Sequence, residues 1–266
     1  MHKLFLHFSF YLCLTLTALS CQSTTSSEVE NTKEAPITTT TESSLNLEPC
    51  EPLIQEALYN NVLMQAYTYQ NGKFMFGVEG VALGAKTPGA EKKESATSKK
   101  GNYIHIVLND KDHHTSDYQH FIHELPDGEY TLLSFLSRSY HESIKTPTAS
   151  ISKTISIKNK QLQKSQNFDQ AAIAINAPRG LYKNDDTKKV VLDFHLFNTN
   201  LSPEGNKVRV LIDQEEFILD QWQAHYINGL TLGMHTLELS LINSSGNVIY
   251  GPVSERFVLT EEPENS

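Results

Sequence analysis

The chain has 266 residues, 39% of them hydrophobic, with 31 acidic side chains against 22 basic ones and a net charge of −9. This length accommodates one or two ordinary domains with real cores, and an acidic surface excludes electrostatic capture of nucleic acid or of anionic lipid. Three cysteines give no framework of internal disulfides, so the fold has to be held by its core.

Residues 1–20 carry one cation, Lys3, and then an apolar run interrupted by His7 and Ser9. The run falls short of the roughly 20 apolar residues that cross a bilayer and reads as a secretory signal segment. Ala18-Leu19-Ser20-Cys21 resembles the bacterial lipobox, which implies cleavage before Cys21, acylation of its thiol and membrane contact through the N-terminal lipid. Residues 21–47 are rich in Ser, Thr and Glu and have almost nothing to bury, as in a disordered tether. In residues 48–73 the apolar spacing suits either a short helix or a first strand. Cys50, within that stretch, is the one thiol left beyond the signal segment and the lipid site.

From Phe74 onward the chain turns to short alternating runs separated by Gly, Asn and Asp, the pattern of strands and turns. Ile104, Ile106 and Leu108 alternate with His105 and Val107, as Val208, Val210 and Ile212 do with Arg209 and Leu211. Gly101-Asn102 precedes the first run and Gly205-Asn206 the second. Further on, Leu125-Pro126-Asp127-Gly128-Glu129-Tyr130-Thr131-Leu132 parallels Leu230-Thr231-Leu232-Gly233-Met234-His235-Thr236-Leu237. Each copy is preceded by His-aromatic-Ile, namely His120-Phe121-Ile122 and His225-Tyr226-Ile227. A match of this length and register marks an internal repeat. The expected fold is all-β: two tandem immunoglobulin-like β-sandwich domains over 74–157 and 171–260. A polar linker, 158–170, joins them, and 261–266 is a solvated tail.

Two groups of residues invite a functional reading. His105, His113, His114, His120, His123 and His141 fall within one stretch, and neutral imidazole suits zinc or copper. A metal set of His113, His114, His120 and His123 is one candidate. Strand geometry works against it: His105 should point away from the core, and the odd offset between His120 and His123 puts them on opposite faces. His120 also has its counterpart in His225, which points to a structural role in both copies.

The second group is Arg138-Ser139-Tyr140-His141-Glu142-Ser143-Ile144-Lys145, which stands where the second copy has only the turn Asn243-Ser244-Ser245-Gly246-Asn247. Loops on rigid sandwiches are where binding usually sits, so Arg138, Ser139, Tyr140, His141, Glu142 and Lys145 form the candidate contact surface. Arg138 and Lys145 suit a carboxylate, phosphate or sulfate, and Tyr140 the face of a sugar or peptide. The plainer alternative is that Arg138 pairs with Glu142 and stiffens the loop. Ser139 or Ser143 with His141 and Glu142 supplies the residue types of a nucleophile with its base. Neighbours on one loop do not converge as catalysis requires, and no catalytic residue is assigned. Trp222, the one tryptophan, is expected in a core.

Several stretches look familiar together: residues 78–87, 101–109 and 135–147, Leu192-Asp193-Phe194, Asn198-Thr199-Asn200-Leu201-Ser202, Asn206-Lys207-Val208-Arg209 and Gly251-Pro252-Val253. They resemble a family of two-domain lipoproteins of Bacteroidota over most of the chain beyond the tether. The resemblance implies a Gram-negative envelope protein and places the family's recurrent loop on residues 138–145. It brings no activity and transfers no catalytic residue. Gln22 after the lipid cysteine is similar to outer-membrane sorting. The expectation is a non-enzymatic, outer-membrane-anchored binding or scaffold protein with an envelope protein or glycan as partner and no cofactor. The rival reading is a metal-binding protein that uses zinc or copper.

Overall fold

The computed structural model describes residues 45–53, 59 and 61–262. The signal segment 1–20, Cys21, tether residues 22–44 and the tail residues 263–266 lie outside them.

The alternating runs fold as two layered sandwiches, antiparallel except for the parallel pairing of Gly180–Lys183 with the last strand of the second. In the first, β2 (Leu63–Gln70), β3 (Lys73–Glu79) and β6 (His120–Ile122) face β4 (Tyr103–Leu108), β5 (Asp112–Ser116), β7 (Gly128–Ser137) and β8 (Ser150–Lys158), and β9 (Gln161–Asn167) links the two layers. The sheet order is β5-β4-β7-β8-β9-β2-β3-β6. Phe74, Phe76 and Val78 alternate inward from β3 and meet Ile104, Ile106, Leu132, Leu136 and Ile155 in one core, as a period of two requires.

The second sandwich has one sheet of order β1-β15-β12-β10 and another of order β11-β17-β16-β13-β14. Its strands are β10 (Ala172–Ala177), β11 (Gly180–Lys183), β12 (Val190–Phe197), β13 (Lys207–Ile212), β14 (Glu215–Leu219), β15 (His225–Asn228), β16 (Gly233–Ile242) and β17 (Val248–Thr260), with β1 (Asn46–Pro49) supplied from upstream. Val208, Val210 and Ile212 point inward from β13 toward Leu237, Leu239 and Leu241.

The repeat seen in the sequence is a repeat of strands. The order β5-β4-β7-β8 recurs as β14-β13-β16-β17, and the pairing of β3 with β6 recurs as β12 with β15. It extends to turn chemistry. Asn109 and Asp213, each left-handed at φ 52° and 54°, accept the backbone N–H of Thr131 (2.8 Å) and Thr236 (2.9 Å) through their side chains. Asn and Asp suit such positions because a short polar side chain tolerates αL and bonds nearby backbone.

Four boundaries differ from the sequence expectation. The tether does not run to 47, because Asn46–Pro49 pairs antiparallel with β15, and Leu45 and Leu47 pack on the second core. Of the two readings of residues 48–73 the strand holds for part of the stretch: Glu48 and Pro49 end β1, and Leu63–Gln70 forms β2, the first strand of the first sandwich. The first sandwich therefore starts at Leu63, ahead of position 74. The polar segment 158–170 is no linker but contains β9, laddered to β8 from Lys153 with Asn167 to Lys158 with Gln161. The side chains of β9 are mostly exposed, with Leu162 packed on the first core, so backbone pairing, which composition does not reveal, makes it a strand.

The sandwiches are joined by packing. Every residue of β4, β10 and β12 is buried. Val107, Leu133 and Phe135 on the outer face of β4 and β7 meet Ala172, Ala174 and Phe197 of the second domain.

Because Asn109 and Asp213 occupy equivalent turns, Asn109→Ala and Asp213→Ala should each cost about 1–2 kcal/mol, from a lost side-chain acceptor plus a strained left-handed Ala. Urea unfolding of the two single variants tests this; an effect in one copy alone would break the equivalence.

Candidate functional site

The loop 138–145 is not an exposed surface but the keystone of the domain junction. Its turn closes with Arg138 N–H to Glu142 O (2.8 Å) and His141 N–H to Arg138 O (3.0 Å), with His141 left-handed at φ 61°. Arg138, Ser139, Tyr140, Glu142 and Ser143 are buried, and only His141 and Lys145 reach partial exposure. Ser139 N–H donates to Thr87 Oγ1 (3.0 Å) and Asn102 Oδ1 (3.1 Å), while its own Oγ accepts the Thr87 N–H (3.0 Å). The Arg138 guanidinium lies over the Tyr59 ring at 5.0 Å and Nη1 donates to Ser143 O (3.1 Å).

The expected Arg138–Glu142 pairing exists only through backbone, because the Glu142 carboxylate goes to Lys93 (2.8 Å), whose ammonium also covers the Tyr140 ring at 5.1 Å. Burial raises the Glu142 carboxyl above the usual range, against the attraction of Lys93. Cys50 lies in an adjoining hollow with Arg138, Glu142, Lys145 and Trp222. Burial, and then the Glu142 charge, push its thiol up to about 12, which makes it an inert thiol at neutral pH.

Beneath the loop sits a polar network shared by both domains. Asp193 on β12, fully buried, accepts from Ser143 N–H (2.7 Å) and Asn176 Nδ2 (2.9 Å) and is ion-paired with Lys145. Asn176 on β10 also donates to Ser137 Oγ (3.0 Å) and His141 O (2.7 Å). Its Oδ1 accepts from His105 Nδ1 (3.0 Å) and the Tyr103 hydroxyl (3.2 Å). Ser143 Oγ donates to Phe194 O (3.2 Å), so neither loop serine hydroxyl is engaged with an imidazole.

The network opens on one side into a cleft of about 560 Å³ whose lining includes Tyr103, His105, His141, Asn176, Arg179 and Tyr182. Because His105 Nδ1 must donate to Asn176 Oδ1, its Nε2 is an acceptor, met by Arg179 Nη1 (3.0 Å). Arg179 in turn pairs with Glu255 (2.9 Å). His141 Nδ1 lies 2.9 Å from the Tyr103 hydroxyl. His105 does point away from its own core, as alternation requires, but it points into the second domain.

The proposed metal set does not converge. His113 faces the junction, with Nδ1 3.0 Å from His105 Nε2 and Nε2 3.2 Å from Glu255. His114 faces the other way, its ring 4.8 Å from that of His123, which bonds Asp112 (3.0 Å). His120 is exposed, whereas its counterpart His225 is buried, so the two do not share a role. Among the described residues no group of three or more His, Cys, Asp or Glu is placed to hold a metal ion. Sequence reasoning missed Asn176, Arg179 and Asp193, whose partners are distant in the chain. It also missed His195, a buried imidazole stacked on Phe135 at 4.8 Å and edge-on to Trp222 at 4.9 Å. Trp222 itself is half-buried against the second core.

No family model and no curated protein matches the chain. Among solved structures it is similar to the fibronectin(III)-like modules of Clostridium thermocellum CbhA, with TM-score 0.27 and 14% identity over 34% of this chain and 99% of that one. The extracellular domain of a putative one-component system of B. thetaiotaomicron gives TM-score 0.28 and 9% identity over 74% of this chain and 31% of that one. Bacteroides ovatus SGBP-B of a mixed-linkage glucan utilization locus, in complex with a heptasaccharide, gives 0.17 and 12% over 81% and 47%. This chain thus spans less than half the length of the two Bacteroides chains, and the likeness is one of strand architecture alone.

Two predictions follow from the junction. Asp193→Ala strands Lys145, Asn176 and the Ser143 N–H together and should cost about 3–5 kcal/mol in denaturant unfolding. Asp185→Ala, at an exposed pair with Lys188, should leave the midpoint where it is.

The second concerns acid. Burial and the Arg179 charge hold His105 well below the ordinary value, and the same two causes bring His113 to about 3. Burial takes His141 to about 4 and, with Lys145, places His195 far below its ordinary value. The unfolded chain therefore binds protons first, and stability present above pH ~6.5 is lost below it, by about 1.4 kcal/mol per histidine per pH unit. Unfolding midpoints measured from pH 7.5 to 5 should fall steeply, and His195→Phe should flatten the slope; a flat profile in the parent protein would refute this.

Proposed function

We propose that the protein is a lipid-anchored, non-catalytic binding or scaffold module of the bacterial outer membrane, with the junction cleft as its contact site. The observation that supports this most is how the junction's chemistry is used. The Ser143 hydroxyl, the Asp193 carboxylate and the His105 imidazole are held in bonds between the domains, and the Ser139 hydroxyl and Glu142 carboxylate in bonds that fix the loop to Thr87 and Lys93 of its own domain. What is left for a ligand is concave space with fixed polar walls, the usual form of a recognition site. The contact surface moves accordingly from the loop itself to the cleft beside it, with His141 the residue common to both. A partner is an envelope protein or a glycan, and the acidic net charge is unsuited to nucleic acid.

Anchoring through Cys21 follows from the lipobox resemblance, and stable anchoring beside a bilayer takes more than one acyl chain, as a fully lipidated N-terminal cysteine supplies. Cys21→Ser should abolish incorporation of labelled palmitate and release the protein from the membrane fraction. In the same cells, Lys99→Ala with Leu181→Ala, on the cleft rim, should reduce cross-linking to envelope partners about tenfold at unchanged Tm. Full cross-linking by the rim variant would sink the cleft as the contact site, and palmitate labelling of the Cys21→Ser chain would sink the anchor.

A further inference from the structure

On the other side of the junction β2 and β9 meet at one residue pair, Gln70 with Gln161, and then part. The Tyr67 hydroxyl and Ser165 Oγ, 2.6 Å apart, span the opening. The hollow so formed, about 590 Å³, has buried Met64 and Ile151 in its lining and Gln65, Asn167 and Asn198 among its polar residues. A second hollow of about 370 Å³ adjoins it and ends at Trp222. The two share Ser150, Ser152 and Asn198, which makes a continuous groove from Tyr67 in the first sandwich to Trp222 in the second.

We infer that this groove is a binding site for a neutral oligosaccharide chain. Its polar lining is amide and hydroxyl, and the exceptions are Asp169 and Lys153, the latter spent on Asn167 Oδ1 at 2.6 Å. Amides present donor and acceptor side by side, the complement of neighbouring sugar hydroxyls. Asn198 is fixed in place, since its Nδ2 donates to Phe168 O (2.6 Å) and Gln170 O (3.0 Å), while its Oδ1 has no partner among the described residues. Gln65 is oriented in the same way, with Nε2 on Glu79 (2.6 Å). Such preorganisation removes much of the ordering cost of binding.

At the two ends the rings are half-buried and tethered by their polar tips, Tyr67 through Ser165 and Trp222 through Nε1 to Phe194 O (3.0 Å). Each is an amphipathic ring with an apolar body and a polar handle, suited to the apolar face of a sugar ring. A charged glycan would meet few counter-charges in this lining.

This site is distinct from the His141 cleft and stands or falls without it. Trp222 is the only tryptophan of the chain, so intrinsic fluorescence reports occupancy of the groove. The intact protein in detergent would be titrated with cellohexaose, laminarihexaose, xylohexaose and mannohexaose, with hexagalacturonate and a Ser/Thr hexapeptide alongside. The expected result is a saturable change with at least one neutral hexasaccharide, weakened about tenfold by Gln65→Ala with Asn200→Ala at unchanged Tm. No response to any neutral sugar, a response to hexagalacturonate or the peptide alone, or an undiminished response in the double variant would overturn the inference. The cleft-rim variant Lys99→Ala with Leu181→Ala should titrate like the parent, which separates failure of this site from failure of the cleft.

Discussion

A carboxylate removed from water must be met by donors or it destabilises whatever buries it. Asp193 is met from three directions: by the loop backbone at Ser143, by the loop ammonium of Lys145 and by Asn176 on the neighbouring strand. Two of these belong to the first sandwich and the third to the second, so the charge is satisfied only when the domains are docked. Docking then dictates the rest. It holds the loop 138–145 in its buried turn, brings Asn176 under His141 and Tyr103, and defines the cleft and the groove as spaces between two fixed walls.

Much of the architecture was legible because it rests on local periodicity. The runs around Ile104 and Val208 and the shared L-x-x-G-x-x-T-L frame are short-range patterns, and strand pairing follows them. β9 and β1 escaped for one reason: QLQKSQN and NLEP bury little, so their strand character comes from backbone ladders to β8 and β15 that have no signature in side-chain type. The junction left two traces in the sequence. Val107, in the outward register of β4, is apolar where a solvated face would be polar, and β12 reads VVLDFHLF with no alternation. Both are what a strand covered on two faces looks like.

The site was harder to read, and the loop shows why. Arg, Tyr, His, Glu and Lys on an inserted loop have the same chemistry whether the partner is a ligand or a neighbouring domain, and inter-domain surfaces resemble transient protein interfaces. The segment 138–145 that the sequence singles out commits most of its polar groups to its own domain and to the neighbouring one. The residues that complete it, Asn176, Asp193 and Lys93, lie far along the chain in two cases and in an unremarked loop in the third. The histidines dispersed because neighbours in a strand point to opposite faces: His113 looks to Glu255 and His114 to His123.

The path of the chain adds a constraint that neither sandwich has alone. β1 completes the sheet of the second domain, the chain then crosses to build the first, and it returns after β9 into β10. The chain therefore passes between the domains twice, and Val107, Leu133 and Phe135 form a small apolar core with Ala172, Ala174 and Phe197. Opening the junction as a hinge would expose that core, unpair Asp193 and strain β1 against β15 in one motion. Domains joined by a single linker and a polar interface move by default; these do not meet that description. A ligand at the cleft or the groove thus meets walls already in place, and recognition rests on what the rigid walls present rather than on closure around the ligand.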